Sequence, residues 1–236
     1  MNSAAGIFLA ARRKPRLPYD AEVEYLESTG TQWIDTGVIP SAHTGIETDV
    51  ALTYVPNDKG AISGMCSSGL FAAGGSYSQY IFRSNDTAST AYMWAFGSTG
   101  SFVISIPYGT RTVFGHNFLE DCVVRVDGVQ KATLPSNPTL FQYPIALMKL
   151  NVANNTSDIR FYVMGRLYHV RISDGSVISH DFIPVRFTNE LGQSESAMYD
   201  RANPTVGMNP DGSARTDGLY RNRGTGAFVI GPDKTA

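Results

Sequence analysis

"YLESTGTQWIDTG", residues 25–37, sets a tryptophan between two turn-forming stretches near the start of a 236-residue chain. Ser-Thr-Gly and Asp-Thr-Gly are turn chemistry. Between and after them the residues alternate as in a short strand, with Trp33 and Asp35 on one face and Ile34 and Thr36 on the other. The indole is read as core or rim packing, because a tryptophan buries a large area and needs one partner for its N–H. Stacking on a sugar is the alternative role.

The period of two recurs outward from this stretch. In TGIETDVALTYV (44–55), Ile46, Thr48, Val50, Leu52 and Tyr54 share one parity, and Glu47, Asp49 and Thr53 the other. That is the pattern of a half-buried strand. CVVRVDGVQKATL (122–134) has two β-rich arms joined at Asp127-Gly128, and YHVRISDGSVISHDFIPV (168–185) repeats the device at Asp174-Gly175. Both are hairpin signals. Further strand candidates are AYMWAF (91–96), FVISI (102–106), RTVFGH (111–116), PIALMKL (144–150) and AFVIG (227–231). No segment holds a 3.6-residue apolar period for three turns, and AAGIFLAARRK (4–14) is the one, short, helix candidate. Closely spaced strands without helices predict an all-β, antiparallel sandwich or barrel.

Residues 1–20 read as an N-terminal basic arm, extended or short-helical, and residues 21–236 as the domain. Within the domain, residues 203–226 (NPTVGMNPDGSARTDGLYRNRGTG) are nearly all turn chemistry. They predict a long surface loop before the last strand, and loops of that length are often functional.

A net charge of −2 and a pI near 6.1 give no electrostatic draw toward nucleic acid or an anionic membrane. No run approaches the ~20 apolar residues of a membrane span. In MNSAAGIFLAARRKPRLP the apolar run precedes Arg12, Arg13, Lys14 and Arg16, the reverse of a secretory signal. The arm is therefore expected to anchor the chain to a neighbour rather than to export it. Cys66 and Cys122 form no CxxC pair. Cys122 reads as a small buried hydrophobe, with a Cys66–Cys122 disulfide as the alternative.

YLESTGTQWIDTGV (25–38) resembles the opening signature of concanavalin A-like (laminin-G-like) jelly-roll domains, of the type found in bacteriophage structural proteins and gut-bacterial surface proteins. VRVDGVQKA (124–132), GRLYHVRISDGSVISHDFIPVR (165–186), and MYD (198–200) with GTGAFVIGPD (224–233) resemble later segments of the same family. The resemblance implies a jelly roll in which Trp33 packs inward where the first and last strands meet. One departure is the stretch between MYD and GTG, which related chains cross quickly. That insertion is a candidate contact loop.

The family also hosts glycoside hydrolases, whose retaining members resemble one another in E-x-D-x-x-E or E-x-D-x-E. One carboxylate attacks and the other protonates the leaving oxygen, about 5–5.5 Å away. This chain has Glu47-Thr48-Asp49, followed by Ala51 and Leu52 where the second Glu belongs. No catalytic residue is expected, and Glu47 and Asp49 read as a solvated strand face. The histidines are His43, His116, His169 and His180. His169 and His180 lie across the Asp174-Gly175 hairpin, a conceivable metal pair, but alternation turns Asp181 away from His180. Ordinary strand polar residues are the reading. No G-x-S-x-G and no phosphate-cradling glycine loop occurs. Laminin-G-like domains often hold a rim calcium, for which Asn154, Asn155 and Asp158 are the candidates, although the same residue types serve any turn.

The aromatic-rich region 71–108 interleaves small residues with Tyr77, Tyr80, Tyr92, Trp94 and Tyr108, near Arg83, Asn85 and Asp86. A pyranose offers an apolar face to aromatics and a polar edge to such side chains. A glycan or partner contact stands here beside the alternative that Tyr92 and Trp94 are core.

Two functions follow. The first is a non-enzymatic virion structural protein of a bacteriophage (capsid decoration, head or tail fibre), assembled in the host cytoplasm. It would contact other virion proteins through the arm, form a homo-oligomer, and present a lectin-like domain to cell-surface glycans. The second is a bacterial surface or secreted glycan-binding module.

Overall fold

The computed structural model describes residues 17–41, 43–54, 63–64, 66–67, 71–72, 75–76, 81–84, 91–94, 101–104, 107–117, 123–133, 144–149 and 163–235, with backbone alone for 54, 63–104 and 116–117. Every regular element among them is a β-strand. The largest sheet is built around three long strands, Thr44–Tyr54, Met164–Asp174 and Val177–Thr188. On one side Arg111–Asn117, Val123–Val126 and Val129–Thr133 extend it beyond Thr44–Tyr54. On the other, Ser194–Asp200 and Leu219–Arg221 follow Val177–Thr188.

The alternation read from Thr44–Tyr54 is the one observed. Ile46, Thr48, Val50 and Leu52 are buried, while Glu47 and Thr53 reach toward solvent. The Asp127-Gly128 hairpin forms because both residues take positive φ, 50° and 75°. That two-residue turn matches the twist of its strands, and Asp and Gly tolerate it. Asp127 also ties the hairpin inward, its Oδ1 accepting a hydrogen bond from the Val113 amide at 2.8 Å.

A smaller sheet pairs Ile34–Asp35, Ala146–Leu147 and Cys66–Ser67. One buried cluster gathers Ile34 and Leu147 from this sheet with Ile46, Phe114, Val170 and Phe182 from the large one. The core thus lies between two sheets, the layering of a β-sandwich. Each fully buried aliphatic or aromatic side chain contributes about 1.5–3 kcal/mol.

Trp33 is 3% exposed and packs against Ala146. The Lys149 ammonium stands 4.6 Å from its ring centroid, and the Arg223 guanidinium carbon 5.2 Å. The surrounding backbone explains the placement. Trp33 N–H donates to Asn222 Oδ1 at 3.1 Å, and Arg223 N–H to the Trp33 carbonyl at 2.9 Å. Gly224 lies so close that a Cβ there would sit 1.8 Å from the Thr31 oxygen. Leu26–Ser28 pairs with Val229–Ile230, and Val23 bridges Asp233. The tryptophan is buried with Ala146 in a small cluster apart from the inter-sheet core, where the two ends of the domain meet.

The segment 203–226, expected as a loop, is more ordered than its composition suggests. It contains Gly207–Met208, Ala214–Arg215 and Leu219–Arg221, and the last joins the large sheet beside Ser194–Asp200. The reason is a short apolar pair. Leu219 and Tyr220 are 1% and 2% exposed, and they bury on opposite faces of the sheet. Leu219 joins Ile183, Val185, Phe187, Ala197 and Tyr199 in a second cluster, capped by Tyr19.

Candidate functional site

The face of the large sheet turned away from the core is apolar at one end and charged at the other. The charged half follows from register. Arg125 pairs with Gly115, Gly115 with Glu47, Glu47 with Arg171, and Arg171 with Asp181. Five strands therefore carry one transverse row in which the signs alternate around a glycine. Arg171 Nη1 donates to Glu47 Oε1 at 3.1 Å, and its Nε lies 3.5 Å from Asp181 Oδ1. Arg201 closes the row, its Nε donating to Asp181 Oδ2 at 2.9 Å. His169 Nε2 stands 2.5 Å from Asp181 Oδ1.

A second row runs alongside. Arg111 grips Asp49 through two parallel bonds of 2.8 and 2.6 Å, and its guanidinium carbon stands 4.0 Å over the Tyr168 ring. Arg166 donates to Glu27 at 2.8 Å and covers Tyr25, whose ring meets Tyr168 edge-on. Exposed pairs of this kind contribute about 0–1 kcal/mol each. Their main effect is to hold long side chains in set directions.

Gly115 has no side chain, and with Gly45 and Gly128 it leaves a groove of about 290 Å3. Glu47, Arg125 and Arg171 stand around it, and Ile178, 52% exposed, forms an apolar wall. The Glu47 and Arg171 side chains are 46% and 43% exposed, so both remain reachable. The groove offers donors from Arg125 and Arg171 and acceptors from Glu47, with Glu47 and Arg171 paired to each other. That suits a neutral polyhydroxylated ligand, whose hydroxyls both donate and accept. Burial alone would raise the Asp181 carboxyl, but hydrogen bonds from His169 and Arg201 outweigh it and hold its pKa below the ordinary value. A carboxyl held ionised in this way is unsuited to donating a proton to a leaving group.

On the core side, Asp200 is wholly buried. Its Oδ2 stands 2.7 Å from His180 Nδ1 and accepts from Asn203 Nδ2 at 2.9 Å. Its Oδ1 accepts from the amides of Asp181 and Ala202 at 2.9 and 3.0 Å. Burial works to raise this carboxyl, and the bonds from His180, Asp181 and Asn203 prevail and lower it.

His169 and His180 thus face opposite sides of the sheet, each with its own aspartate. The cause is a bulge between Ile172 and Ser173, which sets His180 opposite Ile172. Without that extra residue the two rings would share a face. Among the described residues no group of three His, Cys, Asp or Glu side chains is placed to hold a metal ion.

Of the residues singled out from the sequence, Tyr108 is half-buried and packs on the core cluster. Arg83 and Tyr92 are register partners on neighbouring strands, and Trp94 pairs with Ile81. The side chains of Arg83, Tyr92 and Trp94 lie outside the described residues, as do Tyr77, Tyr80, Asn85 and Asp86. So do the arm residues Arg12, Arg13, Lys14 and Arg16, the calcium candidates Asn154, Asn155 and Asp158, and Cys122. Sequence reasoning missed the transverse row. Its only trace there is the outward parity of Glu47 and Asp49.

No protein-family model matches the chain, and no curated protein matches it. Among solved structures it is similar to a native heptameric SAP-like pentraxin from Limulus polyphemus, at 10% sequence identity and a TM-score of 0.47, over 67% of this chain and 78% of the pentraxin chain.

Proposed function

We propose that the chain is a non-enzymatic, lectin-like structural component of a bacteriophage particle. In this reading a concanavalin A-like jelly roll displays the charged outer sheet face toward neutral cell-surface glycans, and the basic arm joins the domain to neighbouring virion proteins. The observation that carries the binding half is the groove above Gly115, flanked by the pre-paired Glu47 and Arg171. The non-hydrolytic half rests on the sequence, where Ala51 and Leu52 stand at the positions of the second glycosidase carboxylate. The phage assignment rests on the resemblance of the segments 25–38, 124–132, 165–186 and 224–233.

The test has two arms. A Cβ at Gly115 meets only Arg125 Cβ at 3.7 Å, an ordinary contact, so Gly115→Val is expected to fold while filling the groove floor. On a glycan array the wild-type chain is expected to bind neutral glycans, and Gly115→Val and Arg171→Ala to lose that binding. Undiminished binding by both variants would refute the site. Deleting residues 1–16 is expected to leave the domain folded and to abolish its incorporation into particles. Persistent incorporation would refute the arm's role, and recovery of the native protein on bacterial envelopes without particles would favour the bacterial surface module.

A further inference from the structure

A cleft at the apolar end of the outer face is separate from the groove. It lies between the inserted segment and the turn at 189–193 and holds about 410 Å3. Its lining carries three carboxylates, Glu190, Glu195 and Asp217, against two guanidinium groups, Arg215 and Arg221. Both arginines are drawn onto Asp217, with Arg215 Nε at 2.8 Å and Arg221 Nη2 at 3.1 Å from one of its oxygens. The two glutamates are left unanswered. Glu195 accepts from Asn189 Nδ2 at 2.5 Å, and among the described residues neither Glu190 nor Glu195 has an ion-pair partner. Both are exposed. The turn that carries Glu190 is set by Asn189, whose Oδ1 accepts from the amides of Leu191 and Gln193, both at 2.9 Å. Leu191 is 82% exposed. The cleft is thus bordered by an acidic turn with one bare aliphatic side chain, which suits a cation carried on a long aliphatic stem.

The chain itself brings such cations to this place. Pro18 lines the same cleft. Tyr19 is fixed next to it, its ring edge-on to that of Tyr199 at 4.9 Å, and the Asp20 N–H donates to the Arg186 carbonyl at 2.8 Å. Arg12, Arg13, Lys14 and Arg16 come two to six residues before Pro18. Six residues of fully extended chain span at most about 22 Å, so all four cations stay within that distance of the cleft wall. Groups tethered this closely meet the cleft at an effective concentration on the order of millimolar, ahead of any second copy in dilute solution.

We propose that the cleft seats the chain's own basic segment, residues 12–16, with its cations on Glu190 and Glu195 and their aliphatic stems along Leu191. The consequence rests on the role proposed above for the arm. A seated arm is withheld from neighbouring subunits, and assembly has to displace it from the cleft.

Limited trypsin digestion of the full-length chain, followed by intact-mass spectrometry, reads the exposure of the bonds after Arg12 and Arg13. A free peptide of residues 8–20, digested under the same conditions, gives the rate for the unseated segment. Relative to that peptide, the Glu190→Gln/Glu195→Gln chain is expected to be cut about tenfold faster than wild type, equivalent to about 1.4 kcal/mol of seating. Glutamine at 195 keeps an acceptor for Asn189, so the double variant is expected to keep the wild-type Tm. Glu190→Gln alone, at an exposed position, is expected to show part of the effect and keeps the test decisive if the double variant melts early. The protection should persist through about a hundredfold dilution, as an intramolecular contact does, and should weaken as salt is raised. Equal rates for wild type and both variants, or protection indifferent to salt, overturns the proposal. Protection that disappears on dilution also overturns it and assigns the cleft to a second copy's arm. If seating is absent while deletion of residues 1–16 still abolishes incorporation, the arm's broader role stands and this contact falls. If seating is present and incorporation survives the deletion, the broader role falls and this contact stands.

Discussion

Replacing Asp200 by Ala tests the most concentrated polar junction of the fold. Four donors converge on this carboxylate: His180, Asn203 and the amides of Asp181 and Ala202. Alanine leaves all four without an acceptor. Leaving several buried donors without their acceptor costs about 3–5 kcal/mol in all, at about 1–3 kcal/mol for each group. His180 is 20% exposed and can regain water, so the sum stays near that range rather than adding a full penalty for each donor. For a domain of this size that corresponds to a fall in Tm of about 6–20 °C. Asp200→Asn keeps an acceptor oxygen but loses the charge, for a smaller loss of about 1.5–3 kcal/mol. Thermal and denaturant unfolding at pH 7, followed by circular dichroism, measures both. An Asp200→Ala chain that melts within about 2 °C of wild type would refute the reasoning, since it would mean that the four donors are satisfied elsewhere.

Acid should weaken the fold through the same groups. Asp181, Asp200 and Asp217 all have pKa values below the ordinary 3.8 in the folded chain. Their contribution is therefore present above about pH 4 and is lost as pH falls through the folded values. Stability measured from pH 6 to pH 2 should drop below pH 4, and Asp200→Asn should flatten part of that drop. Trp33→Ala should cost about 3–5 kcal/mol, whereas Trp33→Phe should cost far less, because the buried indole N–H has no partner to lose. Equal losses in chemical denaturation would contradict that account. Gly224→Ala should cost at or beyond the upper end of the about 1–3 kcal/mol of overpacking, because its Cβ would collide with the Thr31 backbone oxygen. Near-native unfolding of that variant would mean the two segments separate easily.

The sequence made legible whatever is local. Alternation along Thr44–Tyr54 marked Ile46, Thr48, Val50 and Leu52 as inward, and the Asp-Gly pairs marked both hairpins. Trp33 was legible as buried core or rim packing through its neighbours. The charged row was not, because Gly115, Glu47, Arg171 and Asp181 become neighbours only through the register of strands far apart in the chain. Each alone is an ordinary polar residue on a strand. The separation of the two histidines was hidden for a related reason. A single extra residue, Ser179, opposite the Ile172–Ser173 step reverses the face of His180, and nothing local announces it. In segment 203–226 the turn residues masked Leu219 and Tyr220, two side chains that suffice to seat a strand.

The pairing of the domain's two ends has a consequence for its synthesis. Glu22 and Glu24 exchange backbone hydrogen bonds with Lys234 and Pro232, and Leu26 pairs with Ile230. The earliest and latest residues of the domain to leave the ribosome are thus partners. Until translation passes residue 223 the tryptophan lacks its Arg223 side, and until it passes residue 230 the strand Leu26–Ser28 has an open edge. The hairpin Met164–Asp174/Val177–Thr188 has closely spaced partners and can pair early. The nascent chain therefore carries an unfinished sheet until Val229–Ile230 is made, and chaperone occupancy of its first strands should last until that strand emerges.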